Sequence, residues 1–140
     1  MLNQDISDLI FRFFFALIFL ALGFEHIFSD SLIQELFPYW IPSPRIVSIL
    51  CGIWLITFGG LIAIGLWIRQ AAIALGLFLL VVTFAVHVPG ALVDHPELPS
   101  EYQWMWIILQ RSNLAKNLCL LGVCVLFLNY KVGRYSWRIK

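Results

Sequence analysis

The sequence has little charge of either sign. Lysine and arginine number 9, aspartate and glutamate 8, and together they make up only 12% of 140 residues. The hydrophobic fraction is 61%, more than a short soluble domain can bury. The few cations form no basic stripe, which excludes nucleic acid as a partner. The composition therefore predicts an integral membrane protein, with the lipid bilayer as its main contact.

Cysteine is also scarce, with Cys51, Cys119 and Cys124 the three in the chain. Their positions fit neither a C-x-x-C motif nor zinc-ligand spacing, so no metal site is predicted from them. The first apolar run follows Asp5 and Asp8 and is not followed by a small-residue cleavage site. We therefore expect a retained first helix rather than a signal peptide.

Four apolar runs approach the length of about 20 residues that a membrane-spanning helix needs. The predicted helices cover residues 9–28, 46–68, 71–88 and 112–130. This pattern predicts an all-α protein, a four-helix membrane bundle forming one domain over residues 1–140. The segment 101–111 is either an interfacial helix or an extension of the fourth helix.

The distribution of cations predicts the orientation of these helices. Four of them follow the last apolar run: Lys131, Arg134, Arg138 and Lys140. Positively charged flanks stay in the cytoplasm, so we expect a cytoplasmic C-terminus. An even number of crossings then places the N-terminus there as well.

Small residues form stripes on the second and third helices when residues are placed 100° apart. The stripes are Ser48, Gly52, Gly59 and Ala63 on the second helix, and Ala72, Gly76, Thr83 and His87 on the third. Small side chains let membrane helices approach closely. We expect both stripes to be packing faces.

Polar residues in three helices suggest a ligand site. At 100° per residue His26 shares a helix face with Arg12, Ala16 and Gly23, so we expect it to point inward. His26 and His87 lie at similar depths, about 25 Å from the predicted cytoplasmic ends at 1.5 Å per residue. The fourth helix brings polar residues to nearly the same level, so helices 1, 3 and 4 could line a cavity that opens outward. The candidate ligand-binding residues are Glu25, His26, His87, Arg111, Asn113, Lys116 and Asn117. The sequence identifies no catalytic residue among them.

Other roles are open for the same residues. Glu25, Arg111 and Lys116 could extend to the membrane interface. His26 and His87 could hydrogen-bond to a neighbouring helix, and a further alternative makes them axial ligands of haem or ligands of a metal.

Several short motifs resemble those of the DoxX-like family of small four-helix bacterial membrane proteins, related to DoxD and MauE-type proteins. They are Arg12 with the sequence Gly-Phe-Glu-His-Ile-Phe at 23–28, the aromatic and proline-rich segment 36–42, Arg69 with Ala71 and Ala72, and Asn-Leu-Ala-Lys-Asn at 113–117. The resemblance covers most of the chain. It implies a multi-pass protein of the bacterial inner membrane.

The resemblance also implies membrane redox chemistry, because DoxD-like proteins are subunits of a thiosulfate:quinone oxidoreductase and MauE-type proteins assist a periplasmic enzyme. The favoured interpretation is an accessory or structural subunit of a membrane-bound redox complex. Its partners would be other membrane subunits or a periplasmic redox protein. The alternative is a quinone-linked oxidoreductase subunit with a polar outward-facing site, in which quinone would be the cofactor. Whether the chain is itself an enzyme stays open.

Overall fold

The computed structural model describes residues 3–29, 37, 41–96, 98–131 and 133–137. Within these ranges the chain forms helices and no β-strand, which confirms the all-α prediction. The four long helices are α1 (Gln4–Phe28), α2 (Pro44–Ile64), α3 (Ile68–Leu92) and α4 (Gln103–Phe127). A short 3₁₀ turn, Ser100–Tyr102, leads into α4.

Helices α1, α2 and α3 are long and apolar enough to cross a membrane, with 25, 21 and 25 residues. At 1.5 Å per residue they extend about 31 to 37 Å, and the hydrocarbon core is about 30 Å thick. The membrane prediction is confirmed on this ground. Helix α4 also has 25 residues, but it includes Arg111 and Lys116 and has a lower mean hydropathy. Its crossing stays a prediction.

Helix α4 begins at Gln103, so most of segment 101–111 extends the fourth helix. The Gln103 side chain fixes this start. Its Oε1 accepts a hydrogen bond from the backbone N–H of His95 at 2.8 Å, and its Nε2 donates to the carbonyls of His95 at 2.8 Å and Leu98 at 2.6 Å. The preceding loop is thereby tied to the first turn of the helix.

Helix α2 ends at Ile64, four residues before the predicted end at 68. The backbone of Gly65 is left-handed, with φ of 78°, and the N–H of Leu66 bonds to the carbonyl of Leu61. A glycine in this conformation is a common way to end a helix. The apolar sequence continues through the turn, so hydropathy alone did not reveal the break.

The chain divides into two compact units, one formed by segments 1–75 and 127–140 and the other by segment 76–126. In the first unit, α1 and α2 are in close contact. A Cβ added at Gly52 would lie 2.7 Å from the Gly23 carbonyl oxygen, and one at Gly59 would lie 3.0 Å from the Cβ of Phe19. The predicted packing stripe of α2 is confirmed at Ser48, Gly52 and Gly59, which are all buried.

Aromatic side chains pack together in one part of the first unit's core. The rings of Phe15 and Phe19 have centroids 5.1 Å apart, and the ring of Phe127 lies 5.1 Å from that of Phe15. All three side chains are buried. Offset and edge-to-face contacts of this kind add to the stabilisation from burial alone.

The second unit pairs the later part of α3 with α4. A Cβ added at Gly76 would lie 3.6 Å from the Cβ of Cys124, an ordinary packing distance. Gly76 and Thr83 of the predicted α3 stripe are buried, and His87 is half-buried. The α3 stripe is therefore a packing face within the chain.

Candidate functional sites

A π-helical segment, Thr83–His87, interrupts α3. Pro89 explains it, because a proline has no N–H to donate and its ring clashes with the carbonyl four residues earlier. The helix widens, and the N–H of Val88 bonds to the carbonyl of Thr83, five residues back. Such segments are frequent at functional sites. Both ends of this one carry polar side chains.

At the start of the π segment, the Asn117 Nδ2 donates a hydrogen bond to the Thr83 Oγ1 at 3.1 Å. Thr83 is 1% exposed and Asn117 is 4% exposed. A buried amide and hydroxyl need such partners, since neither lipid nor an apolar core can replace water as a partner. The bond joins α3 to α4 within the second unit.

At the end of the π segment, the His87 Nδ1 donates to the Gln110 Oε1 at 2.7 Å. Gly90 leaves room for this contact, since a Cβ there would lie 2.9 Å from the Gln110 Cδ. Gln110 is buried and His87 is half-buried. With Nδ1 protonated, the Nε2 of a neutral His87 ring is an acceptor.

Among the other candidate residues of α4, Asn113 and Lys116 lie close together and Arg111 lies on the opposite side of the helix. The Lys116 Nζ donates to the Asn113 Oδ1 at 2.9 Å, so these two residues form a local pair. Arg111 is exposed. The candidate residues of the second unit therefore lie in three separate hydrogen-bonded pairs. These are His87 with Gln110, Asn113 with Lys116, and Asn117 with Thr83.

In the first unit, His26 pairs with Ser48. The Ser48 hydroxyl donates to the His26 carbonyl at 2.9 Å, and the His26 Nδ1 lies 3.1 Å from the same hydroxyl oxygen. The hydroxyl has one proton, so His26 Nδ1–H is the donor in the second bond. His26 is half-buried and Glu25 is exposed. The inward-facing position expected for His26 is confirmed, while the cavity predicted to join His26 with His87 and α4 stays a prediction.

No three His, Cys, Asp or Glu side chains in the described part of the chain group closely enough to hold a metal ion. The side chains of His26 and His87 each have one ring nitrogen in a hydrogen bond with a neighbouring helix. This is the structural role that the sequence left open for both residues.

Arg12, named from the sequence only as part of a family motif and not as a site residue, is the most buried charged group among the described residues of the first unit. Its guanidinium is 0% exposed. The Nε donates to the Asp8 Oδ2 at 3.2 Å, and Nη1 donates to the carbonyls of Ile62 at 3.3 Å and Ala63 at 3.0 Å. Carbonyls in the last turn of a helix have acceptor capacity left over, and a cation there is favourable.

A C-terminal strap, residues 133–137, crosses this cluster. The Gly133 N–H donates to Asp8 Oδ2 at 3.2 Å, and the Arg134 N–H donates to Asp5 Oδ1 at 2.8 Å. The Tyr135 carbonyl accepts from the Arg12 Nη2. The strap is held mainly through its backbone.

Two signals in the sequence could have indicated these missed partners. Asp8 lies four residues before Arg12, the spacing at which side chains of opposite charge meet on a helix. Gln110 lies seven residues before Asn117 and therefore shares its helix face. Neither signal reveals the backbone carbonyls or the strap.

An exposed surface on α4, which we call the α4 face, is the other feature relevant to binding. Seven residues of α4 lie within about 80° around the helix at 100° per residue, and all are exposed: Trp104, Ile108, Arg111, Ala115, Cys119, Gly122 and Leu126. A Cβ added at Gly122 would meet nothing within 4 Å. Beside the large residues runs an apolar groove of about 520 Å³, lined in part by Leu98, Met105 and Leu109.

Comparison with known families gives one match. The sequence profile of the DoxX family matches residues 7–88, which include α1, α2 and α3 as far as the π segment. Glu25, His26 and His87 lie inside this range, and the four candidate residues of α4 lie beyond it. Part of segment 36–42, used in the resemblance above, lies outside the described residues. No curated protein and no solved structure matches the chain.

Proposed function

The chain belongs to the DoxX family, and from this premise we propose that it is an accessory subunit of a membrane-bound redox complex. The observation that carries the proposal is the α4 face. The partner would be another membrane subunit whose helix packs against this face. The redox assignment rests on the family resemblance rather than on a residue of this chain.

The middle of the α4 face, between its large apolar ends, has the composition of a helix contact. Ala115, Cys119 and Gly122 are small and exposed, and small residues let a second helix approach closely. Arg111 is exposed on the same side, and an arginine facing hydrocarbon is costly. A partner helix would fill the space above the small residues and could offer Arg111 a hydrogen-bond acceptor.

The small-residue stripes of α2 and α3 are packing faces inside the chain, as expected. These stripes pack against helices of the same chain, as Gly52 does against Gly23. They are therefore not available to a partner. The α4 face is the docking surface in the proposal.

The proposal includes a topology. Helix α4 would be the fourth crossing, with both termini in the cytoplasm of a bacterial cell and the chain in the inner membrane. The exposed Lys131 and Arg134 after α4 support this orientation under the positive-inside rule. Arg138 and Lys140, which contributed to the same prediction, lie outside the described residues.

Co-purification after mild detergent extraction tests the proposal. Gly122→Leu places a large side chain on the α4 face without a clash inside the chain, because the position is open. Gly60→Leu is the matched control, since a Cβ at Gly60 of α2 also meets nothing within 4 Å. We expect the wild type and Gly60→Leu to retain a membrane partner and Gly122→Leu to lose it.

Equal partner recovery with Gly122→Leu and Gly60→Leu would remove the α4 face from the account. The accessory role itself would be contradicted by a wild-type chain that is extracted without a partner under every mild detergent condition and that catalyses a redox reaction by itself.

A second candidate is a quinone-linked subunit. It is favoured by the π segment, whose Thr83 and His87 are both held by amides of α4. A half-buried histidine oriented in this way can exchange a proton with a quinone oxygen. If the site acts in this way, His87→Gln should reduce quinone-linked activity of the intact complex, while Glu101→Gln, at an exposed position before α4, should not. Unchanged activity in His87→Gln would exclude this role.

A further inference from the structure

We propose that the C-terminal strap is a binding surface for anionic phospholipid headgroups, held in place by Arg12. The exposed side chains at this surface are Lys131, two residues before the strap, and Arg134, Tyr135 and Trp137 within it. This inference concerns the first unit and does not depend on the accessory role proposed for the α4 face.

The strap lies at the level where headgroups are expected. The Trp137 N–H donates to the carbonyl of Ile64, the last residue of α2, at 3.0 Å. Gly133 and Arg134 bond to Asp8 and Asp5 in the first two turns of α1. Both helices are long and apolar enough to cross the membrane, so the strap covers the ends of two spanning helices.

The backbone of the strap faces the protein and its large side chains face away. The bonds to Asp5, Asp8, Arg12 and Ile64 use only backbone groups of the strap. The side chain of Arg134 is 82% exposed, and Tyr135 and Trp137 are 50% and 67% exposed.

The exposed side chains define the chemistry of the partner. Two cations attract the phosphate of an anionic lipid, and each contributes about 1 kcal/mol near such a surface, or roughly fivefold in affinity. Tyrosine and tryptophan favour the boundary between headgroups and acyl chains. Arg134 also lies 4.0 Å from the Asp5 carboxylate, a long and exposed ion pair that gives little net stabilisation and leaves the guanidinium able to bind phosphate.

The position of the strap depends on Arg12 and Gly133. Arg12 reaches the Tyr135 carbonyl from inside the unit. A Cβ at Gly133 would lie 2.8 Å from Asp5 Oδ1 and 3.0 Å from Asp8 Oδ2, so a larger residue there must shift the carboxylates that bind the strap, or the strap itself. Gly133→Ala therefore disturbs the anchoring of the strap without changing its charge.

Native mass spectrometry of the full chain in an uncharged detergent tests the proposal, with phosphatidylglycerol and phosphatidylcholine as the probes. We expect tighter binding of phosphatidylglycerol by the wild type. Lys131→Gln with Arg134→Gln should weaken that binding roughly 25-fold, from two cations at fivefold each. Gly133→Ala should weaken it too.

Arg69→Gln is the matched control, because Arg69 is an exposed cation in the first turn of α3, outside the strap. It should bind phosphatidylglycerol like the wild type. Wild-type affinity in the double variant or in Gly133→Ala would overturn the proposal, as would an equal loss in Arg69→Gln. Thermal unfolding of each variant in detergent without lipid identifies any loss of lipid binding that comes from misfolding. A misfolded variant is replaced by Lys131→Gln or Arg134→Gln alone. Each single variant must then weaken phosphatidylglycerol binding about fivefold.

Discussion

Arg12 shows at the scale of one residue why a charge can be buried in a membrane protein. Its guanidinium meets one carboxylate and the carbonyls of Ile62, Ala63 and Tyr135. The planar fork of arginine presents five N–H donors, whereas lysine presents three from a single atom. Geometry, as much as charge, therefore determines the residue type at this position.

Arg12→Lys should destabilise the chain although it retains the positive charge. Several carbonyls and Asp8 would lose hydrogen bonds in a buried position, with an expected cost of about 2 to 4 kcal/mol. Unfolding in detergent with increasing denaturant measures the loss, and Arg69→Lys at an exposed position provides the control. If Arg12→Lys is as stable as the wild type, the hydrogen-bond account of Arg12 is wrong.

The Thr83–Asn117 pair should show energetic coupling. Thr83→Val and Asn117→Leu each leave a buried polar group without its partner, while the double variant removes both groups. Interhelical hydrogen bonds in membranes are typically worth about 0.6 kcal/mol, with larger values near 1.7. A double-mutant cycle of unfolding free energies measures the coupling. Simple additivity of the two single variants would contradict a direct bond.

At this scale the sequence predicted directions better than partners. Counting 100° per residue placed His26 and His87 toward neighbouring helices, and the structure gives them partners there in Ser48 and Gln110. The same counting could not find Gln110 or the carbonyl ligands of Arg12. Those contacts depend on how far apart the helices stand and on a backbone strap with no sequence signature.

At the scale of helices, contact between α1 and α2 depends on the absence of side chains. The Gly23 carbonyl oxygen occupies the place where a Cβ of Gly52 would stand. Such close approach is typical of membrane helices joined through small residues. It gives α1 and α2 a fixed contact that larger residues would push apart.

Gly52→Ala should therefore weaken the contact between α1 and α2. Its methyl group would lie 2.7 Å from the Gly23 carbonyl oxygen, and overpacking of this kind costs about 1 to 3 kcal/mol. Gly60→Ala in the same helix is open to solvent or lipid and should be neutral or slightly stabilising. Equal stability of the two variants in a denaturant titration would contradict the close contact.

Hydropathy predicted the existence of the four long helices, while their interruptions required other signals. The end of α2 at Ile64 depends on the left-handed Gly65, and the π segment of α3 depends on Pro89. Both residues lie within or next to continuous apolar sequence. A window average conceals such single-residue effects, so predicted bounds differ most where the backbone changes direction or pitch.

At the scale of the whole molecule, the described helices and the profile match at residues 7–88 establish a DoxX family membrane protein. In the proposed accessory role, a helix of a partner subunit packs against α4 and covers its exposed arginine and small residues. The proposed topology follows from the same idea, because a fourth crossing brings the α4 face into the membrane beside such a partner.

Labelling with a membrane-impermeant thiol reagent tests the topology. In a chain with its three native cysteines replaced by alanine, Ser100→Cys should react in intact cells. A cysteine added after Lys140, or one before Met1, should react only after the membrane is permeabilised. If the added C-terminal cysteine reacts in intact cells while the N-terminal one does not, α4 does not cross the membrane.

Site-specific photocrosslinking in native membranes tests the central claim most directly. A photoreactive amino acid replaces Ala115 on the α4 face or, as a control, Ile53, which is 52% exposed on α2. The account predicts a discrete protein adduct from position 115 and lipid adducts from position 53. Lipid adducts alone from position 115 would contradict a partner on the α4 face.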